Sequence, residues 1–346
     1  MNVFKEDKIN VRYPAEWEPQ ETIWLTWPEN TKEWGDRLDN IRKFYIKLIS
    51  TILPYQSVSL IIRKASFESN DLKGFFAGFK YECLQYEFDN NDIWIRDYGP
   101  IFVEDINGNQ KILNFEFNSY GGKFPPWNLD NDIPHKIAKQ IKVNCIEFPI
   151  ILEGGSIEIN GGSLLITTEQ CLLNTNRNSK LSKSDYEEYF KSLGIDQTIW
   201  LKSGLTNDHT DGHIDNIVRF VDSESVIISQ TDNSESCQFQ ILNDAYNQLS
   251  LWSDSQGKPL KIHSLPIPTD IRFKDEYLPA SYANFIFLNG AVIVPTFNHE
   301  YDFQALQILK DLKPNLDVIG IDCNLLIQEG GGLHCISKQQ PVFSNS

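Results

Sequence analysis

Between Asp36 and Ile52, the residues Leu38, Ile41, Tyr45, Leu48, Ile49 and Ile52 recur at the three- and four-residue steps of one helical face. Shorter segments alternate between apolar and polar residues, or run wholly apolar over four to eight residues, as strands do. This pattern predicts strands over 22–27, 57–62, 82–88, 111–117, 143–148, 156–159, 164–168, 198–202, 225–229, 260–264, 285–294 and 318–321, with another starting near His213. Further helices are predicted over 70–79, 132–141, 182–193, 234–249 and 302–312. Ser182, with Asp185 three residues on, supplies a cap for one of them. Pro28 and Pro149 are expected to end the strands that precede them. Most of the longer helices start 50–70 residues apart, which points to a repeated strand–strand–helix–strand unit. The class is α/β, and the lack of any linker or low-complexity stretch points to one domain over residues 1–346.

Composition narrows the function. With 47 Asp and Glu against 31 Lys and Arg, the formal net charge is −16. Nucleic-acid binding is disfavoured, because neutralising phosphates takes basic surface. An acidic cleft that attracts a cationic substrate fits the charge, as does simple solubility. No apolar signal-like stretch opens the chain, and the longest apolar run, Phe285 to Phe297, is broken by Asn289, Gly290 and Pro295. A cytoplasmic protein without membrane attachment is expected. The six cysteines form no CxxC pair, so reduced thiols are expected and structural zinc has no support.

Four segments concentrate chemistry. Glu329-Gly330-Gly331-Gly332-Leu333-His334-Cys335 delivers a thiol on a glycine run, and the glycines read as room for a flat ligand beside sulfur. Asn207-Asp208-His209-Thr210-Asp211-Gly212-His213-Ile214-Asp215 is the densest polar stretch. If His213 opens a strand, it and Asp215 share one face as an imidazole–carboxylate pair. A hydrated turn, or a metal site using His209, His213 and aspartates, are the other readings. Trp94-Ile95-Arg96-Asp97-Tyr98 sets a carboxylate among aromatic rings, which suits a planar cation paired at its edge and stacked on its face. An internal Arg96–Asp97 pair would explain the same residues. Glu153-Gly154-Gly155 puts an acid beside glycines at a strand start, where a plain turn is the commoner explanation. In an extended segment His334 and Cys335 face opposite ways, which favours His213 over His334 as the thiol's base.

Taken together, these stretches resemble the agmatine deiminase family of guanidine-modifying enzymes, of the pentein superfamily. The resemblance also runs through Tyr13-Pro14-Ala15-Glu16-Trp17-Glu18-Pro19, Trp27-Pro28-Glu29-Asn30, Trp34-Gly35-Asp36-Arg37, Tyr120 to Trp127 and Cys171 to Asn178, and so spans nearly the whole chain. It implies a five-bladed pseudo-symmetric α/β propeller of ββαβ units around a polar channel. It implies hydrolysis of agmatine to N-carbamoylputrescine and ammonia, with no metal and no cofactor, in a homodimer or larger assembly. By motif match, Cys335 is similar to the nucleophile, His213 to the acid/base and Glu153 to the acid that supports it. Asp97 and Asp215 resemble the guanidinium-binding carboxylates, with Trp94, Asp211 and Gly332 expected around the substrate. Gly332 and Leu333 stand where the family pattern has asparagine and isoleucine, which leaves arginine or peptidyl-arginine as alternative substrates. An inactive binder of cationic ligands would have lost one of the five key residues, and all are present. A Cys–His protease would leave Asp97, Glu153 and Asp215 without a role.

Overall fold

The structure, a computed structural model, describes residues 9, 11–64, 72–269 and 271–343. Its strands are organised by one recurring unit: an antiparallel pair, a helix, and a third strand parallel to the second. After the edge strand β1 (Val11–Arg12), β2 (Gln20–Thr26) leads through the helix Leu38–Ile52 to the parallel β3 (Ser57–Ile62), and β4 (Cys83–Glu87) extends that sheet. The hairpin β5 (Ile101–Asp105) and β6 (Gln110–Glu116) is followed by the helix Ile133–Ile141 and β7 (Asn144–Ile151), parallel to β6. β8 (Ile157–Ile159) and β9 (Leu164–Thr168) repeat the arrangement with the helix Lys183–Ser192 and β10 (Gln197–Leu201). β11 (Val218–Asp222) and β12 (Ser225–Gln230) do so with the helix Phe239–Ser250 and β13 (Lys261–Pro266). A small ribbon, β14 (Arg272–Phe273) and β15 (Glu276–Tyr277), precedes the last unit. That unit comprises β16 (Ile286–Leu288), β17 (Ala291–Thr296), the helix Asp302–Leu312 and β18 (Asp317–Asp322). Finally β19 (Ser337–Pro341) pairs antiparallel with β2, so the end of the chain supplies the outer strand of the first unit.

Parallel neighbours need a crossover, and the helices provide it while covering the sheets. The first long helix buries Ile41, Tyr45, Leu48, Ile49 and Ile52, the face its periodicity predicts. Each such aliphatic side chain contributes about 1.5–3 kcal/mol by leaving water. Ser182 caps its helix through Asp185 in a reciprocal capping box. Among the described residues no helix is long and apolar enough to cross a membrane.

The departures from the predicted elements have physical reasons. The apolar run 285–294 is not one strand but the β16–β17 hairpin, turned at Asn289-Gly290, where Gly290 has φ +92°. Pro149 does not end its strand. It sits inside β7, an edge strand, at a register shift where a missing N–H breaks no ladder bond. The fourth long helix starts at Phe239 rather than Ser234. Of the helix predicted over 70–79, Leu72–Phe75 is helical, and positions 70 and 71 lie outside the described residues. β5 and β19 were not predicted. β19 is polar in sequence, yet Gln340 is buried where it accepts a hydrogen bond from Trp24 Nε1 (2.9 Å). Residues 214–216 form a single 3₁₀ turn and β11 begins only at Val218, so His213 does not open a strand.

Candidate functional site

Cys335 emerges from the 3₁₀ turn Leu326–Glu329 and the glycine run, immediately before β19. Its side chain is nearly buried, and Asn284 holds it in position. Asn284 Oδ1 accepts the His334 N–H at 2.9 Å, and Asn284 Nδ2 donates to Cys335 Sγ at 3.3 Å and to Asn216 Oδ1 at 2.9 Å. At Gly331 and Gly332 the missing Cβ makes room for the protein's own side chains, while Gly330 and Gly331 also line a cavity. A Cβ on Gly331 would stand 2.3 Å from the Trp94 ring, and one on Gly332 would stand 2.4 Å from Asn284 Oδ1. Gly332, expected around the substrate, instead packs on Asn284.

Asp97 sits on the short helical turn Ile95–Tyr98. Its carboxylate accepts the Tyr120 hydroxyl at 2.9 Å and the Gly155 N–H at 2.9 Å, so the Glu-Gly-Gly segment anchors it through its backbone. Arg96 turns away, donating to the His334 carbonyl (3.1 Å) and Gln339 Oε1 (2.8 Å), and so forms no internal pair with Asp97.

His213 is fixed from below by its backbone N–H, which donates to Asp208 Oδ2 (3.2 Å) and Thr210 Oγ1 (3.1 Å). Gly212, at φ +92° and tight against Gly204, permits that turn. Both ring nitrogens of His213 lack a hydrogen-bond partner among the described residues, and Nδ1 lies 3.5 Å from Asp97 Oδ1. His213 and Asp215 are not a strand pair, since Asp215 Oδ2 bonds His334 Nδ1 at 2.8 Å. They converge nevertheless. A Cβ placed on Gly155 would lie 2.6 Å from His213 Nδ1, 2.7 Å from Asp97 Oδ1 and 3.1 Å from Asp215 Oδ2. Asp215 Oδ2 is 3.9 Å from Cys335 Sγ. Glycine at 155 is therefore what allows two carboxylates and an imidazole from three segments to meet.

Glu153 is fully buried, and Arg177 Nε donates to it at 2.6 Å. Arg177 also donates to Asp211 Oδ2 (2.7 Å) and to the Thr210 carbonyl (2.9 Å). Asp211, expected at the substrate, does not line the cavity. Lys123 (2.6 Å), Asn176 (2.9 Å) and Arg177 take up its carboxylate. Glu153, Cys171 and His213 present potential ligand atoms within 4.8 Å of one another. The guanidinium already bonded to Glu153 opposes a cation there, so the trio reads as a buried cluster around the imidazole and not as a set of metal ligands. The metal reading built on His209, His213 and aspartates gains no such cluster among the described residues.

A cavity of about 720 Å³ opens onto this centre. Trp94, Asp97, Tyr120, Gly331 and Cys335 line it, as do Glu33, Asp92 and Glu329. Its lining holds six carboxylic side chains against three from lysine and arginine. Burial raises the carboxyl of Asp97 to about 7, with nearby Glu153 adding to the shift. Burial pushes the Cys335 thiol well above its ordinary value, reinforced by Asp215 and Asp97. Burial also holds the His213 imidazole well below its ordinary value, helped by Arg177. Burial thus disfavours the charged form of both the thiol and the imidazole in the free site. Glu33 is raised to about 10 by burial and by Asp92. This environment penalises its own negative charge and would reward a bound cation.

Sequence reasoning reached Trp94, Asp97, Glu153, His213, Asp215 and Cys335, which the fold brings around one end of the cavity. It missed Asn284, Tyr120 and Arg177 as parts of the site. Arg177 and Tyr120 lie in stretches that carry the family resemblance, while Asn284 leaves no signal beyond one amide beside an apolar run.

Comparison with known proteins identifies the family of the chain. The family model for Porphyromonas-type peptidyl-arginine deiminase matches residues 12–341. The agmatine deiminase of Pseudomonas fluorescens (strain SBW25) is 33% identical over 354 residues, covering 95% of each chain. The solved agmatine deiminase of Enterococcus faecalis has a TM-score of 0.90 at 28% identity, covering 96% of both chains. A cysteine-to-serine variant of the C. jejuni agmatine deiminase, solved with substrate bound, has a TM-score of 0.87 at 32% identity and covers 96% of this chain and 97% of its own. Matched from residue 12 to residue 341, the chain belongs to the Porphyromonas-type peptidyl-arginine deiminase family.

Proposed function

We propose that this chain is a guanidine deiminase whose substrate is agmatine, hydrolysed to N-carbamoylputrescine and ammonia within a single domain. The observation that carries the reading is the meeting of Asp97, His213 and Asp215 at one point beside Cys335. Two carboxylates can hold the N–H edges of a planar guanidinium and aim its carbon at sulfur, with Trp94 as a wall. Five strand–strand–helix–strand units, the first completed by β19, are the arrangement a closed five-bladed propeller requires, and we read the fold in that way.

The cation supplies what the empty site lacks. Its charge lowers the cost of a thiolate at Cys335, whose proton passes to the free imidazole of His213. Sulfur attacks the guanidinium carbon, and imidazolium His213 then returns the proton to the departing nitrogen, which leaves as ammonia. The S-linked thiouronium is attacked by water, with His213 taking the water's proton. Collapse expels sulfur and frees the ureido product, the hydroxyl proton restores the thiol, and His213 gives up the water's proton to solvent, where ammonia takes it up. Glu153, bound to Arg177 behind the imidazole, acts through position. Asp211 is assigned to the Lys123–Arg177 network and not to substrate contact.

Agmatine is favoured over arginine by the wall of the cavity. Agmatine ends in an ammonium, whereas arginine carries an α-carboxylate that would meet a lining richer in acidic than in basic side chains. The solved relative that holds its substrate after exchange of a cysteine for serine supports a cysteine-dependent turnover step. Incubation with agmatine should release ammonia and N-carbamoylputrescine, and Cys335→Ala should cut turnover by about 10⁴-fold or more. Activity surviving in Cys335→Ala would remove the mechanism. A kcat/KM for arginine or a peptide ending in arginine that exceeds the agmatine value would reassign the substrate.

A further inference from the structure

His334 is fully buried, and the mechanism above leaves it without a role. Its two ring nitrogens each meet a carboxylate: Nδ1 lies 2.8 Å from Asp215 Oδ2, and Nε2 lies 2.9 Å from Glu16 Oε2. Each short contact needs one proton between its atoms, so the three groups together hold two protons. Glu16 also pairs with Arg219 (2.8 Å) and faces Arg96 (3.9 Å). Those cations and His334 hold its carboxyl well below the ordinary range despite burial, so Glu16 is the anion and Nε2 carries a proton towards it. The second proton lies in the Asp215–Nδ1 contact, with two resting places. On Asp215 it leaves a neutral acid, and on Nδ1 it leaves a carboxylate beside an imidazolium clamped by Glu16.

We propose that His334 is a positioning residue that takes the proton of Asp215 when a guanidinium enters, so the site gains its second carboxylate without releasing that proton to solvent. The proposal rests on the guanidine reading above. In the empty site, burial and the nearby Asp97 favour neutral Asp215. An arriving cation at the outer face of Asp215 reverses the preference, and the proton crosses a contact of 2.8 Å. Arg219 and Arg96 disfavour imidazolium at His334, while Glu16 favours it. Asp208 and Cys335 also face Asp215, and the buried amine of Lys338, lowered to about 7 by burial and Arg96, interacts with Asp97 and Glu16. Arg219 is in turn held by Glu158 (3.1 Å) and by the Ala283 and Phe285 carbonyls, so the rear of the relay is fixed.

The test counts protons in Cys335→Ser enzyme, where the thiol cannot contribute and bound agmatine is not turned over. Calorimetric titration with agmatine in buffers of different ionisation enthalpy gives the protons released per site. Adding His334→Gln should increase the release by about one proton and weaken binding, because Asp215 must then discharge to solvent. Glu16→Gln, which leaves the imidazole in place but removes its anion, should move the count in the same direction and serves if His334→Gln fails to fold. An unchanged proton count in a variant that still binds would overturn the relay. If Cys335→Ser binds arginine or peptidyl-arginine but not agmatine, the substrate assignment fails instead, and the same count is read with that ligand.

Discussion

Asp97 shows how the site exchanges stability for chemistry. Its carboxyl is raised to about 7 in the folded protein, above its ordinary value of 3.8, so the folded state binds the proton more tightly than the unfolded chain. The sign follows: stability falls as pH rises from about 4 to about 7, and the cost is fully present above pH 7. Asp97→Asn keeps an acceptor for the Gly155 N–H and offers a donor to the Tyr120 oxygen. This variant should therefore be more stable than the parent by about 2 kcal/mol at pH 8 in denaturant titration, with the difference vanishing near pH 4. It should also be inactive, because a neutral amide cannot pair with a guanidinium. For the parent enzyme, kcat/KM for agmatine should decline as pH drops below about 7, where Asp97 is protonated. A lower stability of Asp97→Asn at pH 8 would contradict the assigned burial cost. At this scale the sequence revealed the groups that react but few that position them. A thiol or an imidazole in a glycine-flanked motif is legible locally. The bonds that orient it come from Asn284, 51 residues away from Cys335, and from Glu16 at the other end of the chain, which leave no local pattern.

Elements were legible wherever one face of a segment alone met the core. The helices Leu38–Ile52 and Asp302–Leu312 follow their periodicity closely. Periodicity failed where neither face is solvated, since a wholly apolar run carries no phase. The stretch 285–294 hides a hairpin for that reason, and only Asn289-Gly290 marks the turn. That turn gives a prediction confined to the element. Gly290 has φ +92°, while the nearest atom to a new Cβ there would be Tyr55 Cδ1 at 3.7 Å, so backbone strain and not crowding sets the cost. Gly290→Ala should lower stability by about 1 kcal/mol and leave kcat/KM for agmatine within about twofold of the parent. Loss of activity at unchanged stability would mean that the hairpin does more than support β17. His213 illustrates the opposite error. A strand is expected to start near His213, but Asp208, Thr210 and the pair Asp211-Gly212, both at positive φ, build a tight turn, as the hydrated-turn reading has it, and leave the ring nitrogens without a hydrogen-bond partner among the described residues.

Across the whole molecule, the net charge of −16 and the acid-rich cavity act in one direction on a small cation. Agmatine carries a guanidinium and an ammonium, so both its approach and its residence at the cavity wall are favoured by the same field. Charges of the protein beyond about 10 Å act only at low ionic strength, whereas Asp97 and Asp215 sit too deep for salt to screen them fully. The two contributions should therefore separate on titration with salt. Raising ionic strength from about 0.02 M to about 0.5 M should lower kcat/KM for agmatine by up to about tenfold, through KM, with kcat nearly constant. Arginine, whose α-carboxylate cancels one positive charge, should show a shallower dependence. Replacing Glu329 by Gln should flatten the agmatine curve without altering kcat, since Glu329 lines the cavity wall and takes no part in the reacting centre. A salt response equal for agmatine and arginine would assign the charge of this chain to solubility alone, and the acidic wall would then have no part in choosing the substrate.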